Sequence, residues 1–181
     1  MRAPAIGPVE IRIGSTDDQA RARAAYESWG YRGGVQAADT LFLAEQGGAL
    51  VGVVRLTLEE GTRMLRGMQV APHAQRGGVG SRLLHALVSC LGGEECYCVP
   101  YAHLVGFYEQ EGFAVLPLEE APAFLVRRVA DYRREGLDVT VMRRPGTPVA
   151  GGDQGGDQGG TSPAPGERPR DGQADRGREG A

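Results

Sequence analysis

A strand, a glycine-bearing turn and a helix follow one another between residues 63 and 91, and this order constrains the fold more than any other stretch. The segment Arg63–Val70 predicts a strand. After the glycines, apolar residues recur at helical spacing and predict an amphipathic helix: Val79, Leu83, Leu84, Leu87, Val88 and Leu91. The first turn of such a helix presents unpaired backbone N–H groups, and its dipole favours negative charge. Gly77, Gly78 and Gly80 keep side chains away from that end, so the sequence predicts a site for an anion such as phosphate.

The residues within the turn narrow the choice of ligand. Gln75–Gly80 has the sequence Gln-Arg-Gly-Gly-Val-Gly, which fits the pattern Gln/Arg-x-x-Gly-x-Gly/Ala and follows a strand that ends at Val70. It resembles the pyrophosphate-binding turn of the GNAT superfamily, the acyl-CoA-dependent N-acyltransferases. The missing Lys-Ser/Thr pair argues against a nucleotide-triphosphate P-loop, and the glycine spacing argues against a Rossmann turn. A tight connection that binds no ligand would carry similar glycines, so the turn alone leaves that alternative open.

Composition limits the classes of protein to which the chain can belong. Its 181 residues suffice for one ordinary domain, and 41% hydrophobic and 24% charged residues are typical of soluble globular proteins. A net charge of −3 gives no reason to expect a nucleic-acid partner. We expect a cytoplasmic protein with no membrane partner, because no signal segment and no apolar run of about 18 residues is present. All twenty basic residues are arginines, which removes lysine as a catalytic candidate.

Three cysteines make a disulfide framework improbable. Cys96 and Cys98 lie two positions apart on a predicted strand, so their side chains point to the same face at a separation that does not favour a bridge. We expect them to be small buried residues. No clustered set of metal ligands accompanies them, so no metal site is predicted.

Alternating patterns predict an α/β (α+β) domain over residues 1–144 with a mixed, mostly antiparallel twisted sheet of about seven strands flanked by helices. The predicted strands are 9–13, 41–46, 49–58, 62–70, 96–99, 113–116 and 137–142, and the predicted helices are 17–29, 78–91, 102–111 and 122–135. Ser15 or Thr16 would cap the first helix. Residues 145–181 hold eleven glycines and five prolines, which predicts a disordered tail.

A second motif supports the resemblance to the GNAT superfamily independently. Phe107–Phe113, Phe-Tyr-Glu-Gln-Glu-Gly-Phe, looks like the Tyr-x-x-x-Gly-Phe signature of the family, one helix beyond the strand that follows the glycine turn. The order of predicted elements is also the GNAT order. The resemblance implies an N-acetyltransferase that moves acetyl from acetyl-CoA to a primary amine by direct attack. The resemblance does not decide whether the acceptor is a small-molecule amine or a peptide amine. It also leaves open whether the protein forms a homodimer.

The resemblance assigns roles to individual residues. Tyr108 would be the general acid that protonates the departing thiolate, although a core aromatic residue would have the same spacing. The cofactor would be bound by main-chain groups of the strand end and of the glycine turn, with help from one side chain: Met68, Gln69, Val70, Gln75, Arg76, Gly77, Gly78, Val79, Gly80 and Ser81. Arg76 and Arg82 are candidates for contact with phosphate or are simply solvated.

The sequence offers no clear candidate for the general base that would take the proton from the amine. No carboxylate lies in Met68-Gln69 or in Cys96–Cys98, where many family members have one. His103 is the catalytic candidate and His73 a second one, because imidazole titrates in a useful range. An amine that arrives neutral, or that loses its proton through water, needs neither. The missing base also favours an alternative function, a non-catalytic acyl-CoA-binding or sensing module.

Overall fold

Residues 7–147 are described by the structure, which is a computed structural model. The strands are β1 (Val9–Ile13), β2 (Thr40–Gln46), β3 (Ala49–Glu59), β4 (Thr62–Val70), β5 (Cys96–Cys98), β6 (Ala114–Val115) and β7 (Met142–Arg144). The helices are α1 (Asp18–Ser28), α2 (Val79–Cys90), α3 (Val105–Glu109) and α4 (Ala123–Arg134). Short 3-10 turns precede α2, α3 and α4 at Pro72–Ala74, Ala102–Leu104 and Leu118–Glu120.

The strands form one seven-stranded sheet in the order β1-β2-β3-β4-β5-β7-β6. Strands β4 and β5 pair parallel, and every other neighbouring pair in the described residues is antiparallel. The prediction of a mixed, mostly antiparallel sheet of about seven strands is therefore confirmed. The predicted β2–β3 hairpin is confirmed too: Gly47 and Gly48 both have positive φ, 58° and 81°, as a primed two-residue turn requires.

Strands β4 and β5 diverge. Their parallel pairing consists of the single register Met64↔Tyr97 within the described residues, although β4 continues to Val70. Beyond Met64, the edge of β4 that faces β5 therefore has no ladder partner, and a gap opens in the middle of the sheet. This gap is where the cavity described below lies.

Strand β4 also carries a bulge. Val53 pairs with Gln69 and Arg55 with Arg66, so Gly67 and one further β4 residue stand opposite a single residue of β3. Gly67 has φ of 62°, the left-handed conformation expected at such a bulge. A bulge redirects the main chain and leaves one residue outside the ladder, here beside the gap.

Helix α2 covers one face of the sheet with the stripe that its sequence predicts. Val79, Leu83, Leu84 and Leu87 are all at most 3% exposed. Each buried leucine side chain contributes about 1.5–3 kcal/mol relative to an exposed one. The same cluster contains Cys96 and Cys98, which are free and buried as predicted. Burial raises the pKa of the Cys96 thiol to about 12, so this residue is an inert packing group.

The last predicted strand is wrong in its bounds. The pattern at 137–142 predicts a strand there, whereas β7 begins at Met142. Val139 forms only an isolated bridge to Tyr101, and the Thr140 N–H donates to the Pro100 carbonyl. Val139 and Val141 are nevertheless buried. The alternation of apolar and polar residues at 137–142 therefore indicates which side chains are buried beside the end of β5. It does not indicate a continuous ladder of hydrogen bonds.

Two helix predictions also change in detail. The predicted helix at 102–111 is a 3-10 turn followed by the five-residue α3. Neither Ser15 nor Thr16 is the N-cap of α1, which is Asp17. The carboxylate of Asp18 instead accepts hydrogen bonds from the main-chain N–H and hydroxyl of Ser15, at 2.8 and 3.0 Å, and also binds Arg12.

The predicted disordered tail, residues 145–181, lies almost entirely outside the described residues. The N–H of Thr147 donates to the Gly93 carbonyl at 2.7 Å, and residues 148–181 lie outside the described part, so the predicted disorder stays a prediction. Among residues 7–147, no helix has the length and apolar character needed to cross a membrane.

Candidate active site

The glycine turn leaves the start of α2 open. Gly78 is the N-cap residue with φ of 76°, and no side chain among the described residues caps the helix. Gly77 and Gly78 are exposed, and a Cβ at Gly78 would meet nothing within 4 Å. Arg76 adopts φ of 64°, which completes the left-handed turn. The first N–H groups of α2 therefore face solvent, as an anion site requires.

Gly80 has a different role from the other two glycines. A Cβ at this position would lie 3.4 Å from the ring of Phe107, so the small residue lets α2 pack closely against α3. The side chain of Gln75 is engaged within the turn itself, because its Nε2 donates to the Val70 carbonyl at 3.1 Å. Gln75 thus ties the turn to the end of β4. Arg76, Ser81 and Arg82 are exposed beside it.

A cavity of about 620 Å³ occupies the gap between β4 and β5. Its walls come from four parts of the chain: the loop after α1, strand β4, the residues after β5, and helices α3 and α4 with the segment that follows. The lining residues are Gly30–Gly33, Leu65–Gln69, Cys98–Tyr101, Leu104, Tyr108, Arg128, Tyr132, Leu137 and Val139. Of the main-chain segment predicted to bind cofactor, Met68 and Gln69 line this cavity, and Val70 follows directly.

Tyr108 lies on α3 and lines the cavity while only 5% exposed. Phe107 and Phe113 pack edge-on against its ring, with centroids 5.0 and 6.0 Å away. Burial raises the pKa of the phenol above its usual range, and the neighbouring Cys98 and Tyr31 raise it further. Tyr108 is therefore a protonated phenol, held in one orientation by aromatic packing, at the wall of the cavity.

The two histidine candidates lie apart from Tyr108. His103 is exposed in the 3-10 turn before α3, and its ring stacks on Tyr101 with centroids 5.7 Å apart. His73 is exposed in the turn after β4. Neither residue is among those that line the cavity, so the structure brings Tyr108 and β4 together there without a histidine between them.

Sequence reasoning placed acceptor specificity in about residues 27–40 and 117–136 but singled out no individual cavity residue there. Tyr31 and Arg32 belong to the loop after α1, which carries no pattern beyond its glycines, and Arg128 belongs to α4. An arginine in an amphipathic helix normally indicates the solvent-exposed face, so the sequence gave no sign that Arg128 lines a cavity. Gly67 did offer one, because an isolated glycine inside a strand pattern often marks a bulge.

A buried polar cluster supports the bulge from behind. The Tyr26 hydroxyl donates to the Gly67 carbonyl at 2.7 Å, and a Cβ at Gly67 would lie 2.6 Å from that hydroxyl. Arg55, 4% exposed, pairs with the Asp39 carboxylate at 2.6 Å. The conformation of β4 beside the cavity is thus fixed by side chains from α1, the following loop and β3.

Tyr26→Phe should lower the free energy of unfolding by about 1–2 kcal/mol, because it leaves the partly buried Gly67 carbonyl without its donor. Urea denaturation checks this value. Tyr101→Phe, at an exposed ring, is the matched control and should change it by less than about 0.5 kcal/mol. Equal effects of the two substitutions would show that the Tyr26 hydrogen bond contributes nothing to the bulge.

Comparison with known proteins shows what part of the chain resembles. Residues 37–115 match the sequence model of a family described as acetyltransferase (GNAT) domain. Over these residues the chain is similar to that family. The matched residues include β4, the glycine turn, α2 and Tyr108. Of these, β4 and Tyr108 line the cavity. No curated protein matches the sequence of the chain.

Solved structures share the fold of this chain. The ribosomal-protein-S18-alanine N-acetyltransferase of Escherichia coli superposes with a TM-score of 0.58 at 21% identity, over 81% of this chain and 98% of that one. Rv2747 of Mycobacterium tuberculosis, in complex with CoA and NLQ, gives 0.56 at 14% identity, over 74% and 97%.

N-acetylglutamate synthase of Neisseria gonorrhoeae, complexed with coenzyme A and N-acetyl-glutamate, gives a TM-score of 0.57 at 22% identity. The match covers 76% of this chain but only 35% of the synthase, so the chain spans about a third of the length of that protein. Identities at this level establish a common fold. They leave activity and acceptor to be inferred from the site itself.

Proposed function

We propose that the chain is an acyl-CoA-dependent N-acetyltransferase that moves acetyl from acetyl-CoA to a primary amine by direct attack. One observation carries the proposal: Tyr108 lines the same cavity as the unpaired edge of β4, and that strand leads into the open N-terminus of α2. We expect the start of α2 to bind phosphate, the edge of β4 to bind an extended chain, and Tyr108 to donate a proton. The CoA complexes of structures with this fold support the same assignment.

The residues present fit the cofactor. Nothing fills the position next to Gly78, and the main-chain N–H groups of Arg76–Ser81 would bind the diphosphate there. Met68–Val70 would pair with the pantetheine arm as a further strand, because this edge of β4 has no partner in the described residues. Gln75 would act by tying the turn to Val70.

Acetyl-CoA supplies a thioester, in which the C–S bond breaks as the amine nitrogen forms the new C–N bond. Main-chain N–H groups beside the Gly67 bulge would stabilise negative charge on the carbonyl oxygen. Tyr108 would donate its proton to the departing sulfur. The raised pKa keeps the Tyr108 phenol protonated throughout the neutral range, which is the form that a proton donor requires.

The proton of the acceptor amine must also leave, and His103 is the residue predicted to take part. His103→Ala should nevertheless lower kcat by less than about threefold, since the ring is exposed and is not part of the cavity wall. Steady-state kinetics across pH 6–9 checks this. A loss above about tenfold would contradict this expectation and support His103 as the proton acceptor.

Two measurements test the proposed function. Isothermal titration should show that acetyl-CoA binds the full chain, and thiol release should then accelerate when a suitable primary amine is added. Binding without release for any amine in a broad panel would contradict the enzyme and support the acyl-CoA-binding or sensing module. An absence of binding would contradict both functions. Small-molecule amines and peptides with free amines belong in the same panel.

A further inference from the structure

The charged residues of the cavity wall are all of one sign. Arg32, Arg66 and Arg128 line it, and no aspartate or glutamate is among the lining residues of the described chain. The other titratable side chains of the wall are phenols and one thiol, which carry no charge near pH 7: Tyr31, Tyr101, Tyr108, Tyr132 and Cys98. This local excess of positive charge occurs in a protein whose net charge is −3.

Nearby carboxylates neutralise this charge only in part. Glu59 binds both Arg66, at 2.6 Å, and Arg128, so two guanidinium groups share a single carboxylate. Arg128 Nη1 is buried and has no hydrogen-bond partner among the described residues. Arg32, on the loop at the opposite wall, forms no ion pair within that part of the chain. The three arginines and Glu59 therefore carry a net charge of about +2 at neutral pH.

Given the proposed function, we infer that the acceptor is a primary amine that also bears a carboxylate, which these arginines bind. Guanidinium groups suit this task, because their planar donor pairs match the two oxygens of a carboxylate. An acceptor with several positive charges would be repelled from the same wall. The cavity of about 620 Å³ would hold the end of the pantetheine arm as well as the acceptor, so the space left for the acceptor suits an amino acid rather than a folded protein surface.

The same charges account for the missing base. A positive charge near an ammonium group disfavours its charged form and lowers its pKa. An amine bound beside Arg32, Arg66 and Arg128 would lose its proton to solvent more readily than the free amine does. The enzyme then needs no carboxylate on β4 or β5, and none is present in the lining.

Matched substrates test the inference. Thiol release should be measured with a panel of α-amino acids and with the corresponding α-amino amides, which differ only in the carboxylate. We expect kcat/KM to be at least tenfold higher for at least one free acid than for its amide. At neutral pH a larger fraction of each amide than of the corresponding acid has a neutral amine. This difference favours the amides, so it works against the expected preference for the acids. Dipeptides with an acidic second residue distinguish a peptide carboxylate from that of a free amino acid.

Charge variants locate the binding group. Arg32→Glu and Arg128→Gln should each lower kcat/KM for the preferred acid at least tenfold and change that of the amide by less than about threefold. Arg127→Gln is the control, because Arg127 lies on the same helix but outside this cavity, exposed and paired with Glu60 at 3.6 Å. It should leave both substrates unaffected.

The outcomes separate this inference from the proposed function. Turnover with a preference for the amides, or equal losses for acid and amide in the arginine variants, would overturn the carboxylate inference and leave the acetyltransferase intact. Binding of acetyl-CoA without turnover of any acid, amide or dipeptide would instead contradict the enzymatic function.

Discussion

Tyr108→Phe should lower kcat about a thousandfold, within the range that a well-placed general acid contributes. The substitution removes only the hydroxyl and keeps the ring that packs against Phe107 and Phe113. The fold and the affinity for acetyl-CoA should therefore be retained, with a dissociation constant within about threefold of the original value. Thiol-release kinetics measures the first quantity and isothermal titration the second.

Tyr97→Phe is the matched control for this experiment. Tyr97 is a buried tyrosine of β5, 8% exposed, that does not line the cavity. Its substitution should change kcat by less than about twofold. If Tyr108→Phe kept more than a third of the activity, proton donation would have to come from water or another group, and Tyr108 would be reduced to a packing residue.

Gly77→Glu should weaken acetyl-CoA binding about a hundredfold. Gly77 is exposed, does not require positive φ, and a Cβ there would meet only the Ala74 carbonyl at 3.5 Å, so the variant should fold. The new carboxylate would lie beside the open N–H groups of α2 and repel a diphosphate. Higher ionic strength should recover part of the affinity, because salt screens exposed charges.

Gly77→Ala separates charge from bulk at the same position. It should change the dissociation constant by less than about threefold, as measured by isothermal titration. If alanine weakened binding as much as glutamate, steric exclusion rather than repulsion would be responsible. If neither substitution had an effect, the start of α2 would not bind the diphosphate.

The parts of the fold that depend on local sequence were predictable. The Gly47-Gly48 turn specified the β2–β3 hairpin, and the apolar stripe of α2 specified its buried face, because both signals lie within one element. The strand predicted at 137–142 has the wrong bounds because strand pairing does not depend on local sequence alone. Its alternating burial is real, but pairing depends on where β5 ends, and the neighbouring residues do not encode that.

The candidate site was likewise predictable only where its residues belong to a local motif. The glycine turn and Tyr108 were recognisable because each lies in a short motif. The wall that carries Arg32, Arg66 and Arg128 was not, since it assembles from a loop, a strand and a helix that lie far apart in the chain. An arginine has the same appearance in sequence whether its charge faces solvent or a cavity, and only the topology distinguishes the two.

A crystal structure of the chain with CoA would show whether the start of α2 binds the diphosphate and directs the thiol to Tyr108. Diphosphate oxygens should lie about 3 Å from the main-chain nitrogens of Arg76–Ser81. The pantetheine arm should lie along Met68–Val70, with the sulfur next to the Tyr108 hydroxyl. A diphosphate bound away from the start of α2, or a sulfur that cannot reach Tyr108, would rule out this mode of cofactor binding.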